Sequence, residues 1–169
     1  MSNKNDNQIL KSNLSTLLKR FANTSVIEKF NDASQNNTVF TIEVSNISNN
    51  RYLKNIEIDE KAISSVIKDI KYHGIISPLL VRTIEEGKYE LITGRTRFMC
   101  AKRLKLQNVP CMIQNFSDED MLLYMLFSYK LDKTKSVVEM ANICSVLCKK
   151  FHYTQSTIAD LLDISRAQV

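Results

Sequence analysis

The spacing of hydrophobic residues changes along this chain, and each change predicts a different kind of element. In residues 1–37, rich in Asn, Ser and Lys, the apolar positions Ile9, Leu10, Leu14, Leu17, Leu18 and Phe21 recur at three- and four-residue steps. That spacing, with Lys11, Lys19 and Arg20 set between, predicts a basic amphipathic helix inside a tail-like segment. From Thr38 the run Val39, Phe40, Ile42, Val44 alternates as a half-buried strand does. Between Asp59 and Tyr72, residues Ala62, Ile63, Val66, Ile67 and Ile70 have helical spacing, with Asp59 as the cap and Gly74 as the stop. Ile75 to Arg82 reads as a strand, and a turn at Glu85, Glu86 and Gly87 leads to a second one through Tyr89, Leu91 and Ile92. After Thr93 and Gly94, the segment Arg95 to Leu104 carries Phe98, Ala101 and Leu104 at helical spacing. A short strand over Val109 to Gln114, with Pro110 near its start, follows. Ser117, Asp118 and Glu119 form a helix start, and everything beyond them reads as helix. The pattern therefore predicts a tail (1–37), an α+β domain (38–117) and an all-α domain (118–169).

Composition narrows the class without choosing within it. With 169 residues, 44% hydrophobic and 24% charged, the chain can bury an ordinary core. A formal net charge of +5 favours polyanionic partners, though many proteins that never meet nucleic acid carry as much. No stretch approaches the roughly 18 consecutive apolar residues of a membrane span, and Met1 to Asn7 has no apolar signal-peptide core. A cytoplasmic protein without a membrane partner is expected. Cys100, Cys111, Cys144 and Cys148 read as reduced thiols, since a chain of this size needs no disulfide staples. Cys144, Cys148 and His152 share one face of a predicted helix, but no fourth ligand is evident, so packing is expected there rather than a metal.

Three stretches could carry chemistry. Gly74 to Arg82 joins a helix end to a strand through Ser77 and Pro78, a sharp turn that can leave amides facing a ligand and that is also plain loop chemistry. At Gly94 a strand turns into a helix whose first turn holds Arg95, Thr96 and Arg97. Amides at a helix N-terminus, its partial positive charge and these side chains suit a phosphate; the plainer reading is a basic helix start on a solvated face. At the end, Thr154 caps a helix burying Ile158, Ala159 and Leu162, Asp163 and Ile164 make a turn, and Ser165 caps a second helix. This is the cadence of a helix-turn-helix, with Thr154, Gln155, Ser165, Arg166 and Gln168 as the DNA-facing positions. A helical hairpin that binds nothing is the alternative.

Taken in order, these pieces resemble the ParB family over about residues 38 to 169. The matching stretches are Gly74 to Pro78, the run Tyr89 to Gly94, Arg97 with Phe98 and Ala101, Val109 with Pro110, and Thr154 to Arg166. The resemblance implies a ParB/sulfiredoxin-like core, built on a small mixed sheet, that binds CTP with Mg2+, placing Gly74, Ser77, Pro78, Gly94, Arg95, Thr96 and Arg97 at the nucleotide. It also implies a helix-turn-helix that binds double-stranded DNA for plasmid or chromosome partition, and a homodimer in the full-length protein. By the same analogy Lys11, Lys19 and Arg20 would engage a ParA-type ATPase. The chain departs from the family pattern where Ser77 replaces Gln and where Arg95 and Thr96 replace Glu and Arg. It departs again near Ser128 to Asp132, where the third nucleotide motif would fall. These departures weigh against CTP hydrolysis. A ParB-like transcriptional regulator or antisilencer shares every feature named, whereas redox chemistry of the sulfiredoxin kind would need a cysteine closer to Gly94 than Cys100. Because the chain stops at Val169, inside the predicted second helix, a truncated member is expected.

Overall fold

The structure is a computed structural model that describes residues 38–53, 56–131 and 136–169. The predicted tail helix, with Lys11, Lys19 and Arg20, lies outside them. The described residues fall into two compact units, one ending at Ser117 and one starting at Asp118.

The first unit runs β1 (Phe40–Glu43), β2 (Ile47–Ser48), α1 (Glu60–His73), β3 (Leu79–Glu85), β4 (Lys88–Thr93), α2 (Arg95–Arg103) and β5 (Asn108–Ile113). Its five strands form one mixed sheet in the order β1-β5-β3-β4-β2. β3 and β4 make an antiparallel hairpin that turns at Gly87, φ +69°, where glycine enters the left-handed region at no steric cost. β3 lies parallel to β5, β1 antiparallel to β5, and β2 parallel to β4. The helix α1 begins where the Asp59 carboxylate accepts the Lys61 N–H at 3.0 Å. It ends at Gly74, whose N–H donates to the Ile70 carbonyl at 2.9 Å. Leu79, Val81, Leu91 and Phe98 close the main core, and Ile63 and Ile70 of α1 pack against Cys100 of α2. Phe98 is fully buried, which contributes roughly 2–3 kcal/mol. The strand expected from Ile75 begins only at Leu79. Residues 75–78 are loop, because Gly74 reverses the chain and Pro78 has no N–H for a ladder.

The second unit comprises α3 (Asp118–Leu131), α4 (Val137–Phe151), α5 (Gln155–Leu162) and a 3₁₀ turn at Arg166–Gln168. In α3 the consecutive residues Met121, Leu122 and Leu123, then Met125, Leu126 and Phe127, are buried, so the helix is enclosed all round rather than along one stripe. Its acidic first turn suits the positive end of the helix dipole and holds the following corner. Asp118 meets Lys150 at 3.0 Å, and the Tyr153 hydroxyl donates to Glu119 at 2.7 Å. Burial, together with that bond, pushes the Tyr153 phenol well above its ordinary range. α4 closes at His152, φ +60°, which therefore leaves the helical row of Cys144 and Cys148. The second helix expected after Ser165 is present as the single 3₁₀ turn.

Candidate functional site

Register alone brings two of the three chemical stretches together. Leu80 pairs with Thr93 across the β3–β4 hairpin, so the residues before β3 and those after β4 share one end of the sheet. Gly74, Ser77 and Pro78 lie on the first approach; Gly94, Arg95, Thr96 and Arg97 lie on the second. Gly94 is the N-cap of α2 with φ +94° and ψ +26°, and it offers no side-chain cap. The first-turn amides of α2 thus receive no oxygen from their own cap residue, which is the condition for an anion at a helix end. A Cβ at Gly94 would stand 2.7 Å from Leu79 Cδ2 and 3.2 Å from Arg97 Nη2, so the absence of a side chain there lets β3 and Arg97 close over the turn.

Both arginines of this helix start reach back to main-chain carbonyls. Arg97 Nη1 donates to the carbonyls of Ser77 and of Pro78, the latter at 2.9 Å, and so ties the second stretch to the first. Burial lowers the pKa of its guanidinium, and among the described residues no carboxylate pairs with it. Its charge is met by carbonyl dipoles. Arg95 Nη2 donates to the Ile56 carbonyl, fastening the segment before α1 to the same helix end. Thr96, between them, is half-buried. The first-turn amides and the Thr96 hydroxyl are donors of the kind that suit phosphate oxygens. The stretch Ser128 to Asp132 belongs to the other unit, where the Ser128 hydroxyl donates to the Met125 carbonyl at 2.8 Å; Asp132 lies outside the described residues.

The DNA-facing positions of the sequence reading cluster at the end of the helical unit. Thr154 caps α5, its hydroxyl accepting the Thr157 N–H at 3.0 Å. Gln155 opens α5 and is exposed, as are Ser165 and Arg166. Gln168 ends the 3₁₀ turn, and its side chain is outside the described part. Asp163 takes the left-handed C-cap at φ +56°, and Ile164 N–H reaches the Ala159 carbonyl at 3.1 Å, making the sharp turn expected of that segment.

One polar constellation escaped the sequence reading. Glu90, 2% exposed, accepts from Arg82 Nη2 at 2.6 Å and from Arg82 Nε at 2.9 Å through one oxygen. Its other oxygen accepts the Arg51 N–H at 2.8 Å and Arg51 Nε at 3.0 Å. Arg82 Nη1 also donates to the Phe116 carbonyl at 3.1 Å, and the Asn50 amide donates to the Leu91 carbonyl at 3.2 Å. The available signal was a charge placed in each of two strands otherwise read as core.

With this geometry in view, comparison with known proteins is specific. Residues 28–128 match the model of the ParB N-terminal domain, and the chain belongs to that family. A probable chromosome-partitioning protein ParB of Neisseria meningitidis is 30% identical over 138 residues, 82% of this chain and 48% of that protein. A nucleoid occlusion protein of Bacillus mycoides is 30% identical over 128 residues, 76% of this chain and 44% of that one. The chain thus spans about half the length of these curated relatives. Among solved structures, a C-terminally truncated chromosome-partitioning protein ParB of Caulobacter crescentus complexed with CTP-gamma-S superposes with a TM-score of 0.52 at 25% identity, over 78% of this chain and 74% of that one. The same protein complexed to the centromeric parS site gives a TM-score of 0.54 at 24% identity, over 77% and 67%, a likeness of fold. The α+β unit with its mixed five-stranded sheet is therefore of the ParB kind. No helix among the described residues is long and apolar enough to cross a membrane.

Proposed function

We propose that this chain is a nucleotide-responsive DNA binder of the partition type. In this reading a nucleoside triphosphate sits where the two loops meet, with its phosphates at the amides of Arg95, Thr96 and Arg97 and at the Thr96 hydroxyl, and Gly74 to Pro78 alongside. Duplex DNA is met by the helix-turn-helix of residues 154–168, through Thr154, Gln155, Ser165, Arg166 and Gln168. The observation that carries the nucleotide half is the junction at Gly94, where an uncapped helix end and a tethered loop share one end of the sheet. The Caulobacter protein, seen with a CTP analogue, makes CTP the expected nucleotide. Mg2+ would arrive with it, held mainly by phosphate oxygens and water. The family's Glu and first Arg are replaced here by Arg95 and Thr96, so the reading assigns binding to this site and no hydrolysis. A centromere-like duplex is the target this reading takes from the Caulobacter protein, seen complexed to the centromeric parS site.

Calorimetric titration with each of the four nucleoside triphosphates in Mg2+ tests the nucleotide half. Heat with CTP, at an affinity that falls in Arg97→Ala, is the expected result. An absence of heat with all four nucleotides would leave a passive DNA binder.

A further inference from the structure

Arginine at a phosphate site is ordinarily taken as a direct ligand of the anion, yet Arg97 is already committed elsewhere. One nitrogen of its guanidinium holds two consecutive carbonyls, Ser77 and Pro78, which lie 20 and 19 residues upstream. The guanidinium also packs over the bare Cα of Gly94, whose Cβ would lie 3.4 Å from Arg97 Cζ. Ser77 is exposed, and the strand ladder does not begin until Leu79, so β-sheet hydrogen bonding does not hold residues 75–78. Ile76, in the middle of this loop, is 79% exposed and gains little from packing. Ile75 packs against both clusters of the core, so it is Ile76 to Pro78 that depend on their few hydrogen bonds for a defined shape.

We propose that Arg97 is a positioning residue: its guanidinium is a strut that preforms the 74–78 loop for the nucleoside half of the ligand. The phosphates are left to main-chain amides and the Thr96 hydroxyl. A nucleotide whose phosphates take the end of α2 must lay its sugar and base across a neighbouring segment; Arg95 ties residue 56 to that end, and the loop that closes over Gly94 itself is the one Arg97 holds. Preforming it removes the ordering cost that binding would otherwise bear. The inference rests on the nucleotide reading for the identity of the ligand, whereas the strut itself can be observed without any ligand.

Two measurements on the full 169-residue chain separate these. The first is the amide order parameters of Ile76 and Ser77 without ligand, in the parent and in Arg97→Met, which keeps the apolar stem and removes every donor. Values near about 0.85 in the parent should fall toward about 0.6 in the variant, while α2 keeps its order. Order unchanged in Arg97→Met overturns the proposal. The second is calorimetric affinity for CTP and for inorganic tripolyphosphate, each with Mg2+. Arg97→Met should weaken CTP by roughly tenfold and tripolyphosphate by no more than about twofold. Thr96→Val should weaken both and leave the loop ordered. Equal loss of both ligands in Arg97→Met makes Arg97 a direct phosphate ligand and overturns the positioning role. A parent that binds neither ligand, in a chain whose loop still loosens on substitution, retains the strut and removes the nucleotide reading.

Discussion

A methyl group added at Gly94 would sit 2.7 Å from a Leu79 side chain that has no room to retreat, at a φ of +94° that L-residues rarely adopt. Gly94→Ala should therefore cost about 2–4 kcal/mol, the sum of left-handed strain and overpacking, in urea denaturation. Gly87→Ala makes an internal comparison: its φ is +69° but nothing lies within 4 Å of the added Cβ, so strain alone applies, about 1 kcal/mol. Equal losses in the two variants would mean that closeness to Leu79 and Arg97 is irrelevant to the turn. The buried carboxylate of Glu90 poses the opposite case, a charge whose removal strands its partner. Arg82 is 5% exposed, so Glu90→Ala should cost about 3–5 kcal/mol, whereas the paired change Arg82→Met with Glu90→Leu should cost much less than the sum of the single changes. Additive losses would show that Arg82 and Glu90 stabilise the sheet independently of each other.

Each unit builds a buried thiol into one of its elements, and alkaline pH reads both. Burial pushes Cys111 on β5 and Cys144 on α4 up to about 11, from an ordinary 9.0. A raised folded pKa means that the folded state keeps its proton after the unfolded chain has lost it. The stability tied to the neutral thiol is complete below pH 9 and is lost as pH rises toward 11, by roughly 2 kcal/mol for each group. Urea denaturation at a series of pH values should show a shallower alkaline decline in Cys111→Ala than in the parent; parallel declines would remove the thiol from the account. Elements such as these were legible in the sequence where a local signal existed. Asp59 and Gly74 bracket α1 because a cap and a left-handed stop act within one turn, and Gly87 marks the hairpin for the same reason. The two-residue strand β2 carries no period to detect. The clamp among Arg51, Arg82 and Glu90 joins residues 8 and 39 positions apart, which spacing cannot foresee. At the candidate site the pattern located Gly94 to Arg97 correctly at a helix end, but not that Arg95 and Arg97 reach back to Ile56, Ser77 and Pro78. Those contacts arise from the sheet register, which aligns the start of β3 with the end of β4.

On the scale of the whole molecule, a net charge of +5 is a weak attractor for DNA, so the proposed DNA binding would take its sequence choice from a few well-placed side chains. Of the basic residues at the end of the helical unit, Lys150 is already paired with Asp118, whereas Arg166 is exposed and begins the 3₁₀ turn that follows the α5 corner. A long-range charge effect and a base-reading contact make different demands on a substitution there. If Arg166 only adds to the general field, Arg166→Ala weakens all duplexes alike and flattens the dependence of affinity on salt. If it reads a base, the loss is about 1–3 kcal/mol on a duplex selected by the parent chain from a random pool, and small on an unselected duplex of equal length. We expect the second result, measured by fluorescence anisotropy at several salt concentrations with both duplexes. Unchanged binding of the selected duplex would detach DNA recognition from this turn and return residues 154–168 to a helical corner held by Thr154 and Tyr153, with the α+β unit then left to account for whatever DNA the chain retains.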